Sequence, residues 1–154
     1  KRSSSVFPRF TARGGGGNFL RMLRWAERGR PFPIIEPENM RSLLYSENFA
    51  AAVVALLGAS TWPYSLYLLK DKEDASSRTV YTLICKSLGK TPRFIHFPSF
   101  GVRIGRILWE ELRRATEPFR ISSAKFEKQF GYSSPYSLEQ GIAETVAWYR
   151  VSGH

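Results

Sequence analysis

The stretch NMRSLLYSENFAAAVVALLG, residues 39–58, changes its hydrophobic pattern partway along. The short apolar run RSLLY indicates a strand, and the residues that follow have the spacing of a helix that Ser46 caps and Gly58 ends. Arg41 stands at the head of the apolar run, where a cation needs a partner. A structural salt bridge explains that arginine as well as a bound anion does. The stretch therefore predicts a buried strand that leads directly into a helix.

The size and composition of the chain are those of one folded domain. Its 154 residues include 43% hydrophobic residues, enough for a single core. Lys and Arg number 23 against 13 acidic residues, and the net charge of +10 favours an anionic partner: nucleic acid, a phosphorylated small molecule or an acidic membrane surface. No apolar run approaches the roughly 20 residues that cross a bilayer. We therefore expect no membrane partner and a cytoplasmic location.

Hydrophobic spacing and capping residues predict an α/β fold of the mixed, helix-rich kind, with about six helices and four short strands. The helices are expected near residues 18–28, 46–57, 80–88, 100–114, 123–130 and 137–149. The strands are expected at FPII, RSLLY, YSLYLL and RFIHF. Ser137 and Gln140 have the spacing of a capping box, and Leu138, Ile142, Val146 and Tyr149 should face the core.

Few residues suit catalysis or metal binding. Cys85 is the only cysteine and lies in an apolar run, so we interpret it as a core residue. His96 and His154 are the only histidines, too few for a zinc site. The glycines at 14–17 match no phosphate-loop motif and are interpreted as a linker. We expect no catalytic residue and no metal site.

Four motifs in order, GNFLRMLRWAERGRPFPI, NMRSLLYSENFAAAVVALL, SLGKTPRFIHFP and FRISSAKFEKQFGYSSPYSLEQGIAETVAWYR, together resemble the C-terminal half of extended short-chain dehydrogenases/reductases. The resemblance is to NAD-dependent nucleotide-sugar epimerases and dehydratases of the UDP-sugar 4-epimerase type, and it covers about residues 17–150. In that family this half is mainly the substrate lobe. The resemblance implies a sugar-nucleotide binding lobe with a UDP-sugar as its partner.

The resemblance also implies which residues contact the substrate. Asn18 corresponds to an asparagine that hydrogen-bonds the diphosphate region, and Arg41 to the arginine that grips the pyrophosphate. Pro33, Ile34 and Ile35 lie where the family's chain runs beside the nucleobase, so their backbone is expected to contact it. A second phosphate-binding arginine is usual in the family, and Arg113, Arg114 and Arg120 are all candidates.

The sequence departs from the family in two respects. Asn48 stands near a position where family members commonly carry a carboxylate. The Gly-rich NAD motif has no counterpart, and none of the seven tyrosines has a lysine four residues later. Because the family's Tyr-x-x-x-Lys pair works with NAD, we expect no cofactor in this chain and no independent activity. We also expect self-association through apolar surface that the missing half would cover.

The domain organisation is expected to have three parts. Residues 1–17 are interpreted as an irregular lead-in, residues 18–150 as the substrate-binding lobe and residues 151–154 as a tail. One hypothesis is that the lead-in is non-native and results from an upstream frameshift, which sequencing of the encoding DNA would test. Two alternatives to a truncated lobe stay open: a basic non-enzymatic module that binds nucleic acid or a protein assembly, and an enzyme completed by a separate NAD-binding chain. With the lobe as the main interpretation, we do not expect nucleic acid as a partner.

Overall fold

A computed structural model of the chain describes residues 17–34, 39–63, 66–96 and 119–152. These residues form five helices and four short strands, which confirms the predicted mixed α/β class. In chain order the elements are α1 (Gly17–Glu27), β1 (Phe32–Ile34), β2 (Arg41–Ser42), α2 (Ser46–Leu57), β3 (Asp74–Ala75), α3 (Ser77–Ser87), β4 (Phe94–His96), α4 (Ala124–Phe130) and α5 (Leu138–Ser152).

The strands form two separate two-stranded sheets. β1 pairs with β4 in parallel, with Phe32 opposite Phe94. β2 pairs with β3 in the antiparallel sense, with Arg41 opposite Ala75. Arg41 also forms a bridge to Phe119 on its other edge. The two sheets therefore place β1 and β2, which carry the predicted substrate contacts, in different parts of the fold.

Two similar helix-to-strand connections set up the parallel pair β1 and β4. α1 is followed by Gly29 at φ +64, and α3 by Gly89 at φ +70. This left-handed conformation is easy for glycine and ends each helix. A proline then follows in each connection, at Pro31 and Pro92, before the chain enters its strand. Because α1 packs against α3, the two strands leave the same side of the helix pair and meet in register.

The main core lies between α1, α3 and α5. α3 packs against both other helices and buries Ile84 completely. The predicted inward residues of the last helix are confirmed as members of this core: Leu138, Ile142, Val146 and Tyr149. On α1 the core includes Phe19, Leu23 and Ala26, and Met22 packs against it partly buried. A smaller cluster of Ala52, Phe126 and Tyr132 joins α2 to α4.

Capping residues explain where the helices begin. The predicted capping box is confirmed, since the Ser137 N–H donates to Gln140 Oε1 at 2.8 Å and the Gln140 N–H donates to Ser137 Oγ at 3.3 Å. At α2 the prediction was wrong by one residue: Tyr45 occupies the N-cap position and Ser46 is already helical. The reason is a hydrogen bond from the Tyr45 N–H to Asp71 Oδ2, at 2.9 Å. This bond holds the Tyr45 backbone in place, and the helix starts at the next residue.

The strand predicted at YSLYLL is also wrong for the part that the structure describes. Leu66 to Leu69 belong to no strand, although Tyr67 and Leu69 pack inward on the cluster of α2 and α4. The short strand β3 lies instead in the charged segment KDKEDASS, where no strand was predicted. Alternating burial alone does not make a strand, because a strand also needs a neighbour for its backbone groups.

Several predicted features lie outside the described residues. These are the lead-in up to residue 16, Ile35, and the helix predicted at 100–114. At the described ends, α1 already begins at Gly17, which the prediction placed in the lead-in, and α5 continues to Ser152, within the predicted tail.

Candidate functional site

Arg41 lies on a short strand that is held on both edges. On one edge it pairs with Ala75 of β3. On the other edge the Ser42 N–H donates to the Phe119 carbonyl at 2.8 Å, and the Phe119 N–H donates to the Met40 carbonyl at 3.1 Å. The backbone of Arg41 is therefore fixed in position by residues far away in the sequence.

The pleat of this strand separates Arg41 from the nearby acidic side chain. Neighbouring residues on a strand point to opposite faces, and residues directly opposite one another across a pair share a face. Arg41 thus shares a face with Ala75 and Phe119. Ser42 lies on the other face, where its hydroxyl donates to Asp74 Oδ1 at 2.8 Å. Arg41 projects from the face that Asp74 does not occupy.

Asp74 binds three donors on its own face. Besides Ser42, Lys70 Nζ lies 2.9 Å from Oδ1 and Arg120 Nε lies 2.8 Å from Oδ2. Burial raises the pKa of the carboxyl, but hydrogen bonds from Lys70, Ser42 and Arg120 outweigh this effect and lower the pKa to about 2. The charged carboxylate ties together β2, β3 and the segment that begins at Phe119.

We predict that Asp74→Asn lowers the free energy of unfolding at neutral pH by about 1 to 2 kcal/mol. A folded-state pKa below the ordinary value means that the carboxylate stabilises the fold above about pH 4 and loses this effect as pH falls towards 2. The difference between wild type and variant should therefore shrink as pH falls through this range. Urea unfolding over a pH series measures it, and a difference that stays constant with pH would contradict the assigned role.

The contact with Asp74 also separates Arg120 from Arg41. Arg120 points to the Asp74 face, with its side chain 65% exposed, whereas Arg41 lies on the opposite face. The two arginines therefore do not converge on one ligand across this strand. Arg113 and Arg114, the other candidates for the second phosphate contact, lie outside the described residues.

The other predicted contact residues lie on α1 and β1. Asn18 is in the first turn of α1. Pro33 and Ile34 are in β1, opposite Ile95 and His96 of β4. Ile34 is buried, so any contact with a ligand there would come from its backbone, as the resemblance implies. No described strand pairing joins these residues to Arg41, and Ile35 lies outside the described residues.

Asn48 is the polar residue whose importance sequence reasoning missed. Its side chain is fully buried on α2, and Nδ2 donates to Asp71 Oδ1 at 2.7 Å and to the Tyr136 carbonyl at 3.0 Å. Its Oδ1 accepts from the Tyr136 N–H at 2.9 Å. Burial raises the pKa of Asp71 above its ordinary value, against hydrogen bonds from Asn48 and Tyr45 that lower it. Asn48 therefore joins α2 to two distant segments, and an amide within an apolar helix was the available signal.

The remaining chemically active side chains do not form a site in the described part of the chain. Cys85 is buried in the main core, as predicted, and burial raises the pKa of its thiol. His96 is exposed on β4. Within the described residues, no three His, Cys, Asp or Glu side chains are grouped so that they could hold a metal ion. Among the described helices, none combines the length and apolar character that a bilayer crossing requires.

Comparison with known proteins identifies the fold. No protein-family model matches the chain, and no curated protein matches it. Among solved structures, it is similar to UDP-glucose 4-epimerase from Thermotoga maritima, solved with UDP-glucose, with a TM-score of 0.68 and 17% identity over 96% of this chain and 44% of that one. It is also similar to UDP-N-acetylglucosamine 4-epimerase from Bacillus cereus, with a TM-score of 0.67 and 14% identity over 94% and 45% of the two chains.

A dehydratase shares the same fold. dTDP-glucose 4,6-dehydratase from Bacillus anthracis, solved with NAD, has a TM-score of 0.62 and 20% identity over 88% of this chain and 39% of that one. The chain therefore has the fold of the C-terminal part of an extended short-chain dehydrogenase/reductase. More narrowly, its structural relatives are NAD-dependent nucleotide-sugar epimerases and dehydratases, of which it spans less than half the length.

Proposed function

We propose that this chain is a sugar-nucleotide binding lobe in which Arg41 binds the diphosphate of a UDP-sugar. The observation that carries the proposal is the position of Arg41: its backbone is fixed on both edges, and it projects from the face opposite Asp74. An anion on that face would meet the Arg41 guanidinium on the side of the strand away from Asp74. A planar guanidinium can donate two parallel hydrogen bonds to phosphate oxygens.

The other contacts in this proposal follow from the family resemblance. Asn18, in the first turn of α1, would hydrogen-bond the diphosphate region, and the β1 backbone at Pro33 and Ile34, with Ile35 beyond it, would contact the base. NAD belongs to the full-length relatives, and no residue of this chain is assigned to it. We propose that the lobe alone does not catalyse epimerisation or dehydration.

We expect UDP to bind the wild-type protein weakly and the Arg41→Ala variant at least about tenfold more weakly, because loss of a charge-assisted bidentate contact removes at least about 1.4 kcal/mol. Isothermal titration at low salt measures this difference. Arg41→Lys keeps the charge but loses the fork of donors, so its affinity should fall between the two.

A matched control separates this contact from the net charge of the protein. Arg21 is exposed on α1, and Arg21→Ala removes the same charge from another surface. It should leave the affinity for UDP unchanged. If the wild type and Arg41→Ala bind UDP with equal affinity, Arg41 does not contact the ligand. If the wild type shows no measurable UDP binding, the proposed function itself is contradicted.

A second candidate function is a basic module that binds nucleic acid. The observation in its favour is the pair of adjacent connections after α1 and α3, joined where the Phe32 N–H donates to the Arg93 carbonyl at 2.8 Å. They carry the exposed cations Arg28, Arg30, Lys90 and Arg93. Titration with single-stranded RNA at two salt concentrations distinguishes the candidates, since binding to a phosphate backbone weakens steeply with salt. Arg41→Ala should have little effect on such binding.

A further inference from the structure

The segment of residues 70–75, which we call the clip, holds the strand that carries Arg41. Its last residue pairs with Arg41 between β3 and β2. Next to that pair, the Ser42 hydroxyl donates to Asp74 Oδ1 at 2.8 Å. Lys70, at the other end of the clip, lies with Nζ 2.9 Å from the same oxygen. Asp74 therefore binds both the Arg41 strand and the first residue of its own segment.

Asp71 continues the same contact beyond β2. Its N–H donates to the Leu43 carbonyl at 2.7 Å, and its Oδ2 accepts from the Tyr45 N–H at 2.9 Å. Asp71 is buried, so water does not compete for these bonds, and they are stronger than they would be at the surface. The clip thus holds the chain from Arg41 to the start of α2.

The acidic residues of the clip stand in a place that electrostatics alone does not favour. The sequence contains only two aspartates, Asp71 and Asp74, and both lie in the clip. A carboxylate near an anion site repels the anion and lowers its affinity. The contacts with Ser42 and Tyr45 give these two carboxylates a different use, because they fix the strand from which Arg41 projects.

We propose that Asp71 and Asp74 are positioning residues of the diphosphate site, which hold β2 so that Arg41 meets the ligand in one fixed orientation. This inference rests on the proposed function and deepens it, because it assigns a role in binding to side chains that act through Arg41. A bidentate contact depends on the direction of the guanidinium. A looser strand therefore weakens the contact even when Arg41 itself is intact.

Asp74→Asn distinguishes positioning from simple electrostatics, because the two predict opposite signs. If Asp74 acted only through its charge, removal of the carboxylate would strengthen the binding of UDP. We expect the affinity for UDP to fall about fivefold instead, and to fall in Asp71→Asn as well. Isothermal titration at low salt measures it, at a temperature where circular dichroism shows each variant to be folded. A role in stability alone would leave the affinity of the folded protein unchanged or higher.

Ser42→Ala tests the same contact without a change of charge. It removes the hydroxyl that donates to Asp74 and accepts from the Ile121 N–H at 3.0 Å. We expect a loss of UDP affinity similar to that in Asp74→Asn, and Ser42→Thr, which keeps the hydroxyl, should restore most of it. On an Arg41→Ala background, Ser42→Ala should cause no further loss, because its effect passes through Arg41.

Glu73→Gln is the matched control within the clip. Glu73 is exposed and lies between the two aspartates, so the variant removes the same charge from the same segment. Its affinity for UDP should equal that of the wild type or be slightly higher. The inference is wrong, and the proposed function stands, if the aspartate variants bind UDP as tightly as Glu73→Gln does or if Ser42→Ala binds it like the wild type. Absence of UDP binding by the wild type contradicts both.

Discussion

Asn48→Asp is expected to lower the free energy of unfolding by about 4 kcal/mol at neutral pH, because it brings a second acid into a buried site. The wild-type amide donates from Nδ2 to Asp71 Oδ1 at 2.7 Å. A carboxylate in its place sets two acids against each other, and one of them must take up a proton. The Tyr136 carbonyl, 3.0 Å from the same nitrogen, also loses its donor.

The pH dependence of this effect has a definite sign. In the Asn48→Asp variant, the new carboxyl and that of Asp71 form a coupled pair that holds one proton at neutral pH, so the folded-state pKa of the pair is raised above the ordinary value near 4. A raised folded-state pKa favours the folded state at low pH, and this contribution is lost as pH rises. The stability difference between wild type and variant should therefore shrink as pH falls towards 4. Urea unfolding at several pH values measures it.

A compensating substitution identifies Asp71 as the partner. Asp71→Asn alone is expected to lower the free energy of unfolding by about 2 kcal/mol. The new NH2 group must face either Asn48 Nδ2 or the Tyr45 N–H, and both of these are donors. In the double variant Asn48→Asp with Asp71→Asn, the new amide can donate to the new carboxylate. The loss of unfolding free energy in the double variant should be smaller than the sum of the two single losses by at least about 1 kcal/mol. Strictly additive losses would rule out a direct contact between these two positions.

The helices of the main core were predictable because their signals are local. Each of α1, α3 and α5 combines apolar residues at helical spacing with a residue that ends or begins it, such as Gly29, Gly89 or Ser137. Those signals lie within a few residues of the structure they specify. The inward residues of α5 could therefore be named correctly from the sequence.

The arrangement around β2 was not predictable, because its determinants are distant in the sequence. β3 has only two residues, in a charged segment, and it exists because β2 pairs with it and Ser42 donates to Asp74. The strand RSLLY was correctly placed at its start, but no local pattern identifies Phe119 as its other neighbour. The sequence was enough to propose Arg41 as a ligand of an anion. That Arg41 and Asp74 lie on opposite faces of the strand became clear only from the pairing of β2 with β3.

Asn48 shows the same limit for a single side chain. Its amide stands in an otherwise apolar helix, but polar residues are common in the first turn of a helix, so this signal alone did not distinguish a buried Asn48 from an exposed one. Its partners, Asp71 and Tyr136, lie 23 and 88 residues away. Only the folded chain brings them together. The difference from the family noted at this position thus concerns a residue that connects α2 to Asp71 and to the Tyr136 backbone.

Gly141→Val is expected to lower the free energy of unfolding by about 3 kcal/mol, because α5 packs against a ring that has no room to move. A Cβ atom at Gly141 would lie 3.0 Å from Cγ of Tyr45, and the Tyr45 side chain is 1% exposed. The Tyr45 backbone is bound to Asp71, and its ring contacts that of Tyr136 edge to face at 5.5 Å between centroids. A branched side chain must displace one of these groups, and such overpacking costs about 1 to 3 kcal/mol or more.

Two further glycine variants test the steric explanation by urea unfolding. Gly141→Ala adds only the Cβ atom and gains about 1 kcal/mol of helix propensity, so its net loss should stay below about 1 kcal/mol. Gly58→Ala is the control at the end of α2, where the backbone is right-handed and the nearest atom to a new Cβ is 3.6 Å away. It should be neutral or slightly stabilising. If Gly141→Val is no more destabilising than Gly141→Ala, the close approach of α5 to Tyr45 does not limit what can stand at position 141.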